Sequence, residues 1–209
     1  RKIISNESIN ILIDVGANVG KYAKNIAELG FQGKIYSIEP LEKPFEKLLI
    51  NSKNYNNWIV LPRMAVGNND GEIKINVSKN IDSSSILDIL DNHVKAAPNS
   101  EYFSSEKVEI KKLDTVFKKI NDIDPVVFLK IDVQGYEEEV IRGATELLRF
   151  TRVIQLELSL VPLYKGQKLY REIIDLMEKY DYRLFSIIPG FSNEETGELL
   201  QFDGIFIKC

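Results

Sequence analysis

Two distant stretches of the chain share one layout, and they constrain the fold more than any other feature. The stretch ILIDVGANVG at 11–20 is an apolar strand pattern that ends in Asp14 and enters a glycine turn, followed by the helix pattern KYAKNIAELG. The stretch FLKIDVQGYEEEVIRGA at 128–144 repeats this order, with Asp132 before Gly135. Each would place an acid at the carboxyl end of a buried parallel strand, where open α/β sheets bind their ligands. We therefore expect the functional site at this edge of a sheet.

The chain as a whole alternates apolar runs of strand length with helical patterns. Such alternation predicts βαβ units and a mostly parallel sheet. The predicted strands are 10–14, 34–38, 58–65, 126–132, 152–158, 182–188 and 201–208. The predicted helices are 21–29, 44–50, 114–120, 137–148 and 169–179. Because PGFSNEETGE leaves no room for a crossover helix between the last two strands, these strands should pair antiparallel as a hairpin.

The middle of the chain has a different pattern. After the turn Asn69-Asp70-Gly71, alternating runs at 72–78 and 107–112 predict a small, partly exposed pair of strands. The polar residues 79–106 between them carry one short helical pattern, ILDILDNHV. A connection this long predicts an active-site lid, with a mobile surface loop as the alternative. We expect one domain over 1–209.

Composition limits the classes of function. With 209 residues, of which 44% are hydrophobic, the chain can bury the core of one domain. Its 27 basic and 31 acidic residues give a net charge of −4, which favours no nucleic-acid partner. No apolar run approaches the ~20 residues of a bilayer span. The single cysteine, Cys209, excludes an internal disulfide and a multi-cysteine zinc site. These features predict a soluble, cytoplasmic protein.

The first glycine turn discriminates among nucleotide cofactors. A phosphate-binding loop needs G-x-x-x-x-G-K-[ST], but GANVGKY is one residue short and has Tyr22 where a hydroxyl should bind magnesium. A dinucleotide fingerprint needs glycines at the positions of Gly16, Asn18 and Lys21, and only the first is glycine. A nucleoside triphosphate is therefore disfavoured, and NAD or FAD is the weaker option.

The pattern that remains, D-x-G-A-N-x-G, suits S-adenosylmethionine. Glu39 ends the next predicted strand, 25 residues after Asp14, and a carboxylate there accepts hydrogen bonds from both hydroxyls of a ribose. S-adenosylmethionine offers such a ribose, and its ammonium group matches an acidic turn without bound phosphate. The alternative is that the glycines only form a turn between strand and helix.

The second stretch brings charged groups to the same edge. Lys130 and Asp132 are two apart on a strand, so their side chains point to one face, as an ion pair or as a ligand site. Glu157 takes the corresponding late position on the next strand and is expected to converge with Asp132. The acids at 137–139 are explained more simply by the positive end of a helix dipole.

Five motifs resemble, in this order, the FkbM-type S-adenosylmethionine-dependent methyltransferases. They are DVGANVG, SIEP at 37–40, AVGNNDG at 65–71, KKLD at 111–114 and LKIDVQGYEEEVIRGA. The similarity covers nearly the whole chain. Many class I methyltransferases share the first motif, whereas the last is more specific. Members of the family typically have Glu where this chain has Gln134.

The resemblance implies a fold and a site. The fold is the Rossmann-like class I methyltransferase fold, a mostly parallel seven-stranded sheet with an antiparallel C-terminal hairpin strand and a small β insertion around 72–112. The activity is methylation of a hydroxyl on a sugar, a glycolipid or a secondary metabolite. The glycine turn would hold the methionine end of the cofactor and Glu39 its ribose, while Asp132 would lie beside the sulfonium and the acceptor. The expected cofactor-binding residues are Asp14, Gly16, Ala17, Asn18, Gly20, Tyr22, Glu39, Pro40, Ala65, Val66 and Asp132.

Methyl transfer to an aliphatic hydroxyl needs a group that takes the hydroxyl proton. Asp132 is the first candidate, Glu157 is its alternative or partner, and His93, the only histidine, is the third. Mg²⁺ held between the two acids is the less favoured alternative, because only two oxygen ligands can be named. A nucleotide-binding oxidoreductase and a non-catalytic S-adenosylmethionine-binding module are the rival functions. The sequence specifies neither the acceptor nor the oligomeric state.

Overall fold

The computed structural model describes residues 2–118 and 124–209. Its strands are β1 (Ile11–Val15), β2 (Lys34–Ile38), β3 (Trp58–Val60), β4 (Ala65–Val66), β5 (Gly71–Ser78), β6 (Tyr102–Lys111), β7 (Val127–Ile131), β8 (Thr151–Ser159), β9 (Tyr182–Pro189) and β10 (Gln201–Lys208). Its helices are α1 (Lys2–Asn6), α2 (Lys21–Glu28), α3 (Glu42–Ser52), α4 (Asp91–Ala96), α5 (Leu113–Val116), α6 (Glu137–Arg142) and α7 (Tyr170–Lys179). None of the helices in these two ranges is long and apolar enough to cross a bilayer.

Seven strands form one sheet in the order β3-β2-β1-β7-β8-β10-β9. The strands from β3 to β8 in this order pair in parallel, whereas β10 runs antiparallel to both of its neighbours, β8 and β9. This arrangement confirms the predicted α/β class, the seven-stranded sheet and the antiparallel final pair. The chain moves outward from β1 to β3 and later resumes at β7 on the other side of β1. Open α/β sheets bind ligands at such a reversal of strand order.

Alternate side chains of the central strands pack against helices on opposite faces of the sheet. Ile13 of β1 belongs to the larger core, which α6 and α7 cover, whereas Leu12 belongs to the core beneath α2 and α3. Asp14 follows Leu12 on that second face and pairs in register with Lys130 of β7. All residues of β1 and β7 are buried. The two central strands therefore end in a buried pair of opposite charges.

The predicted β insertion is a separate three-stranded sheet in the order β4-β6-β5. β5 pairs antiparallel with β6, and β4 pairs in parallel with β6. Ile75 and Ile110 of this sheet share a small core with Leu41, which lies just beyond β2, and with Ala65. The insertion is therefore packed beside the carboxyl end of β2.

Residues 79–106 contain more regular structure than their sequence indicates. They include 3₁₀ turns at Ile81–Ser83 and Pro98–Ser100, the helix α4 and the start of β6, which begins at residue 102 rather than at 107. An isolated antiparallel bridge joins Ile89 to Tyr164. The segment therefore packs against the connection that follows β8.

Two predicted elements are divided in the structure. The strand predicted at 58–65 separates into β3 and β4, because Pro62 has no N–H to donate to a neighbouring strand. The helix predicted at 137–148 ends at Arg142, before Gly143. A Cβ atom on Gly143 would lie 2.0 Å from the carbonyl oxygen of Gly67, so this position accepts no larger residue.

Two further differences concern helices, one that was not predicted and one that ends early. α1 has no counterpart among the predicted helices. α5 ends at Val116, whereas a helix is predicted over 114–120. Residues 119 and 120 of that prediction lie outside the described residues.

Two aspartates, one exposed and one half-buried, explain two of the family motifs as structural. Asp70, in AVGNNDG, accepts hydrogen bonds from the Lys112 N–H and the Thr115 hydroxyl at 2.8 and 2.9 Å. Asp114, in KKLD, accepts one from the Leu147 N–H at 2.9 Å. Side-chain oxygens at these positions satisfy N–H groups that a helix start leaves without partners. Asp70 therefore attaches the start of α5 to the turn at 69–71, and Asp114 attaches α5 to the residues that follow α6.

Candidate active site

A cavity of about 460 Å³ opens at the carboxyl ends of β1, β2 and β7. This volume lies within the range of small-molecule sites. The expected site residues that line it are Gly16, Ala17, Asn18, Tyr22, Glu39, Pro40, Ala65, Val66, Asp132 and Glu157. Three other expected residues, Asp14, Gly20 and His93, lie outside the lining.

The two glycine-turn stretches meet at the floor of this cavity. Gly16 has a φ of +76°, and a Cβ atom on it would lie 1.9 Å from the carbonyl oxygen of Asp132. The Asp132 N–H also donates a hydrogen bond to the Val15 carbonyl at 3.0 Å. The N–H groups of Gly16 and Ala17 donate to the Ile38 carbonyl at 3.1 and 3.0 Å. Backbone contacts therefore hold the ends of β1, β2 and β7 together.

Gly20 serves packing rather than the cavity surface. A Cβ atom on this residue would come within 2.6 Å of the Trp58 ring and 2.7 Å of Leu48. Its φ of +85° lies in the left-handed region that glycine tolerates. Gly20 thus lets α2 begin close to the core beneath it.

Glu39 braces the first turn from the end of β2. Its carboxylate accepts hydrogen bonds from the N–H groups of Asn18 and Leu41, both at 2.8 Å. The residue is 4% exposed, and burial raises the pKa of its carboxyl to about 7 despite these two donors. Each carboxylate oxygen has a further lone pair. Because Glu39 lines the cavity, these lone pairs are available to ligand hydroxyls.

Asp14 lies beneath the cavity floor, and Lys130 lines the floor above it. Asp14 is fully buried, neither of its carboxylate oxygens has a hydrogen-bond partner, and burial raises its pKa to about 6. The Lys130 Nζ lies 3.7 Å from Asp14 Oδ1 and 3.1 Å from Asp132 Oδ2. Burial alone would lower the pKa of Lys130, but the carboxylates of Asp132 and Asp14 raise it above its usual value. Lys130 is therefore a cation shared between two acids.

One side-chain amide bridges the two expected catalytic acids. The Gln134 Nε2 donates to Asp132 Oδ1 at 2.9 Å and to Glu157 Oε2 at 2.7 Å. The Gln201 Nε2, from β10, also donates to Glu157 Oε2, at 2.8 Å. The Tyr164 hydroxyl donates to the Gln134 Oε1 at 2.7 Å. Asp132 and Glu157 thus converge, as their strand positions predict, and both line the cavity.

The surroundings of Glu157 disfavour its charged form. Burial raises the pKa of Glu157 well above 4.5, and the nearby charges of Asp132 and Glu137 raise it further. Glu137 is buried at the start of α6, where it accepts hydrogen bonds from the N–H groups of Val133 and Gly135 at 3.2 and 3.1 Å. Burial raises the pKa of Glu137 to about 7. Glu137 therefore holds the second glycine turn, beyond any contribution to the helix dipole.

Tyr22 contributes one wall of the site. Its hydroxyl donates to the Gln155 Oε1 at 2.8 Å, and the Lys130 Nζ lies 5.1 Å from the centre of its ring. Burial raises its pKa above the usual tyrosine value. Tyr22 therefore presents its ring, rather than an ionisable hydroxyl, to the cavity.

His93 lies apart from the two acids. It is 3% exposed, and its ring packs against Tyr164 and Phe191 with ring centres 5.1 and 5.3 Å away. Its Nδ1 is buried without a hydrogen-bond partner, and burial lowers its pKa to about 4. His93 is thus a neutral residue of α4 that packs the segment 79–106 against Tyr164 and Phe191.

Part of the cavity wall comes from residues that were not expected there. Ile75 of β5, together with Ile81, Asp82 and Ile86 of the following segment, lines the cavity. The Asn18 amide donates a hydrogen bond to Asp82. The strand alternation in EIKINVS could have identified Ile75 as buried, but no local pattern shows against which part of the sheet the insertion packs.

The methyltransferase FkbM domain profile matches residues 14–184, a range that includes every residue lining the cavity. The chain belongs to the FkbM methyltransferase family. This confirms the family that the five motifs indicate. As an FkbM methyltransferase the protein is an S-adenosylmethionine-dependent enzyme, which decides against the oxidoreductase and against the non-catalytic module.

Similar proteins include other methyltransferases. The 2-O-methyltransferase NoeI of Sinorhizobium fredii is 26% identical over 196 residues, which are 91% of this chain and 78% of NoeI. The fibrillarin pre-rRNA processing protein of Methanococcus jannaschii has a TM-score of 0.53 at 12% identity, covering 96% of this chain and 66% of its own. TrmK of M. capricolum, solved with S-adenosyl-homocysteine, has a TM-score of 0.52 at 7% identity, covering 100% of this chain and 68% of its own. The two solved structures share the fold of this FkbM methyltransferase.

The cavity of the FkbM methyltransferase fits a cationic nucleoside cofactor. Its lining contains four acids against two lysines, Lys21 and Lys130. The side-chain oxygen of Asn18 is buried and has no hydrogen-bond donor within the described residues. A ligand ammonium or hydroxyl would supply that donor, and an acidic surplus favours a positive ligand. Among residues 2–118 and 124–209, no three His, Cys, Asp or Glu side chains are grouped as a metal site.

Proposed function

We propose that this enzyme methylates a hydroxyl group of a small neutral acceptor, such as a sugar, a glycolipid or a secondary metabolite. The observation that carries the proposal is the convergence of Asp132 and Glu157 on one wall of the cavity. A hydroxyl is scarcely ionised at neutral pH, so its methylation requires such a proton acceptor. The relationship to a 2-O-methyltransferase supports oxygen as the methylated atom.

The cofactor residues of this proposal surround the carboxyl ends of β1 and β2. Glu39 binds the ribose hydroxyls, and the turn that contains Gly16, Ala17 and Asn18 holds the methionine end. The residues proposed to adjoin the adenine are Pro40, Ala65 and Val66, which line the cavity. When bound, S-adenosylmethionine supplies an electrophilic methyl group on its sulfonium.

Asp132 is the proposed proton acceptor, with Glu157 as its partner or alternative. Lys130 and Gln134 each donate to one oxygen of Asp132, which orients the carboxylate at the end of β7. A positioned acid and a positioned hydroxyl reduce the entropic barrier to attack, which is the main contribution that a protein makes to an in-line displacement. His93 is excluded from this role in the proposal, because it does not line the cavity.

Residues 79–106 are proposed as the substrate lid of a single domain. Asp82 contacts Asn18 of the first turn, and the Ser85 hydroxyl donates to the Gln134 carbonyl at 2.7 Å. The segment therefore touches both glycine turns across the cavity. A lid at this position excludes water from the reacting groups.

The acidic cavity supports a neutral acceptor rather than a nucleic acid. Its four lining acids outnumber its two lysines, and the net charge of the chain is −4, a balance that disfavours a phosphate backbone. Mg²⁺ has no part in the proposed reaction.

Labelling of cell extracts tests this function. Extract is incubated with purified enzyme and S-adenosylmethionine that carries a radiolabelled methyl group, and labelled products are separated by size and charge. We expect label in a small neutral molecule, attached through an ether oxygen, and no label with Asp132→Ala enzyme. Label that enters nucleic acid or protein instead would contradict the proposal.

A further inference from the structure

The amide of Gln134 occupies a position that few side chains can fill. Its Nε2 donates to Asp132 Oδ1 and to Glu157 Oε2 at 2.9 and 2.7 Å. An amide nitrogen carries two hydrogens, so one group can donate to an oxygen of each acid. This orientation also leaves the amide oxygen free to accept a hydrogen bond from another side.

Gln134 is itself held from two further directions. The Tyr164 hydroxyl donates to its side-chain oxygen, and the Ser85 hydroxyl donates to its backbone carbonyl, both at 2.7 Å. Its φ of +56° lies in the left-handed region, which is uncommon for a residue with a side chain. Backbone strain of this kind persists only where surrounding contacts enforce it, and it clusters at functional sites.

The charges around the two acids make this bridge necessary. The charged and titratable groups that interact with Asp132 or Glu157 are Lys130 on β7, Asp14 on β1, Glu39 after β2, Glu137 on α6, Tyr164 after β8 and Asp203 on β10. Lys130 is the cation in this set and already contacts two acids. Two neighbouring carboxylates without a donor between them tend to share one proton.

We propose that Gln134 is a positioning residue that holds Asp132 and Glu157 as two separate hydrogen-bond acceptors facing the cavity. Gln134 lines the cavity, and in this proposal it acts through the two acids rather than on the reacting groups. The inference deepens the proposed function and rests on it for its catalytic meaning. A glutamate at this position would add a third acid to this wall of the cavity, whereas the neutral amide adds no charge.

The proposal is tested by titrating the acids directly. The carboxyl carbons of Asp132 and Glu157 are followed by ¹³C NMR against pH in the wild type, Gln134→Met and Gln134→Glu, with Asp132→Asn and Glu157→Gln for assignment. We expect the apparent pKa of both acids to rise by about one unit or more in both Gln134 variants, because the shared donor is lost. The rise should be larger in Gln134→Glu, which also adds a negative charge.

Gln201→Met is the matched control. Gln201 donates to Glu157 Oε2 and makes no contact with Asp132. Its replacement should raise the pKa of Glu157 and leave that of Asp132 unchanged. An Asp132 titration that is the same in the wild type and in both Gln134 variants overturns the proposal. So does an equal shift of Asp132 in Gln201→Met, since it would show a general loosening of the site.

The titration is independent of the proposed reaction, because it needs neither cofactor nor acceptor. It can fail while hydroxyl methylation stands, and labelling of the acceptor can fail while the titration succeeds. Thermal unfolding accompanies each variant, and if Gln134→Met does not fold, Gln134→Glu decides the outcome. With an identified acceptor, the acidic limb of the pH–rate profile should move to higher pH in Gln134→Glu, while the KM for S-adenosylmethionine stays the same.

Discussion

The two ends of the cavity are built in different ways. At the cofactor end, formed by residues 15–18 and 39–41, the hydrogen bonds that hold the strand ends together are between backbone groups or between Glu39 and backbone N–H groups. At the acceptor end, formed by residues 132–134 and Glu157, hydrogen bonds between side chains position the two acids. A backbone scaffold forms with the fold itself, whereas a side-chain network depends on each of its members. Substitutions should therefore damage folding or binding at the first end and chemistry at the second.

The largest effect is expected from Asp132→Asn, which removes the proposed proton acceptor while keeping its size. The rate of methyl transfer should fall by about 10³-fold, within the range for loss of a general base. Single-turnover transfer to the labelled acceptor measures this. Asp91→Asn, a change of the same chemistry at an exposed position on α4, is the control and should react as the wild type does. If Asp132→Asn reacts at the wild-type rate, Asp132 is not the proton acceptor.

A second substitution tests whether the cofactor end is a backbone scaffold. Gly16→Ala should lower the free energy of unfolding by about 3 kcal/mol or more, because its Cβ would collide with the Asp132 carbonyl at a positive φ. Gly197 has nearly the same φ, +73°, but has open space around it. Gly197→Ala should therefore cost only about 1 kcal/mol, from the backbone conformation alone. Urea denaturation measures both, and equal losses would contradict the role of the close contact.

His93→Phe tests the support beneath the acceptor end. The pKa of His93 is lowered by burial to about 4, below the value of 6.5 that an exposed histidine has. Between these values the unfolded chain binds a proton that the folded chain does not, so His93 lowers stability as pH falls from 6.5 to 4. His93→Phe should reduce this acid-induced loss by up to about 3 kcal/mol. Urea denaturation at both pH values measures the difference.

The acids with raised pKa values act in the opposite direction. Asp14, Glu39 and Glu137 bind protons more readily in the folded chain, so their contribution to stability falls as pH rises towards 7. They are present in both proteins and cancel when His93→Phe is compared with the wild type. An unchanged acid sensitivity in the variant would show that His93 is already charged or solvated in the folded state.

The smallest effect is expected from Glu39→Gln. One hydrogen bond to the backbone is lost, because the amide nitrogen would face an N–H donor, and an acceptor for the ribose is lost with it. Calorimetry should show S-adenosyl-homocysteine binding about tenfold more weakly. Glu42→Gln, an exposed neighbour at the start of α3, should bind as the wild type does. If the two variants bind S-adenosyl-homocysteine with equal affinity, Glu39 does not contribute to cofactor binding.

The sequence was sufficient to predict the convergence of Asp132 and Glu157, because parallel strands end at one edge of a sheet. It could not identify Gln201 or Tyr164 as their supports. The hairpin of the last two strands follows from the short connection, but the sequence does not show that β10 enters between β8 and β9 and so reaches Glu157. Tyr164 depends in the same way on the path of an irregular connection.

Two expected site residues illustrate a second limit. Gly20 belongs to the cofactor motif, but its small size serves Trp58 and Leu48. His93 lies in a polar segment and resembles a catalytic base, yet ring packing with Tyr164 and Phe191 buries it. Residue type and spacing show where a chemical group occurs along the chain. They do not show whether that group will line the cavity or pack against the core.

The position of β10 connects the edge of the sheet to the active site. β9 lies at the edge and pairs with β10 alone, so it is held to the sheet only through the strand that follows it. The same strand brings the amide of Gln201 to Glu157. A chain in which β10 is not paired with β8 would keep the cofactor end of the cavity and would lack the Gln201 hydrogen bond to Glu157.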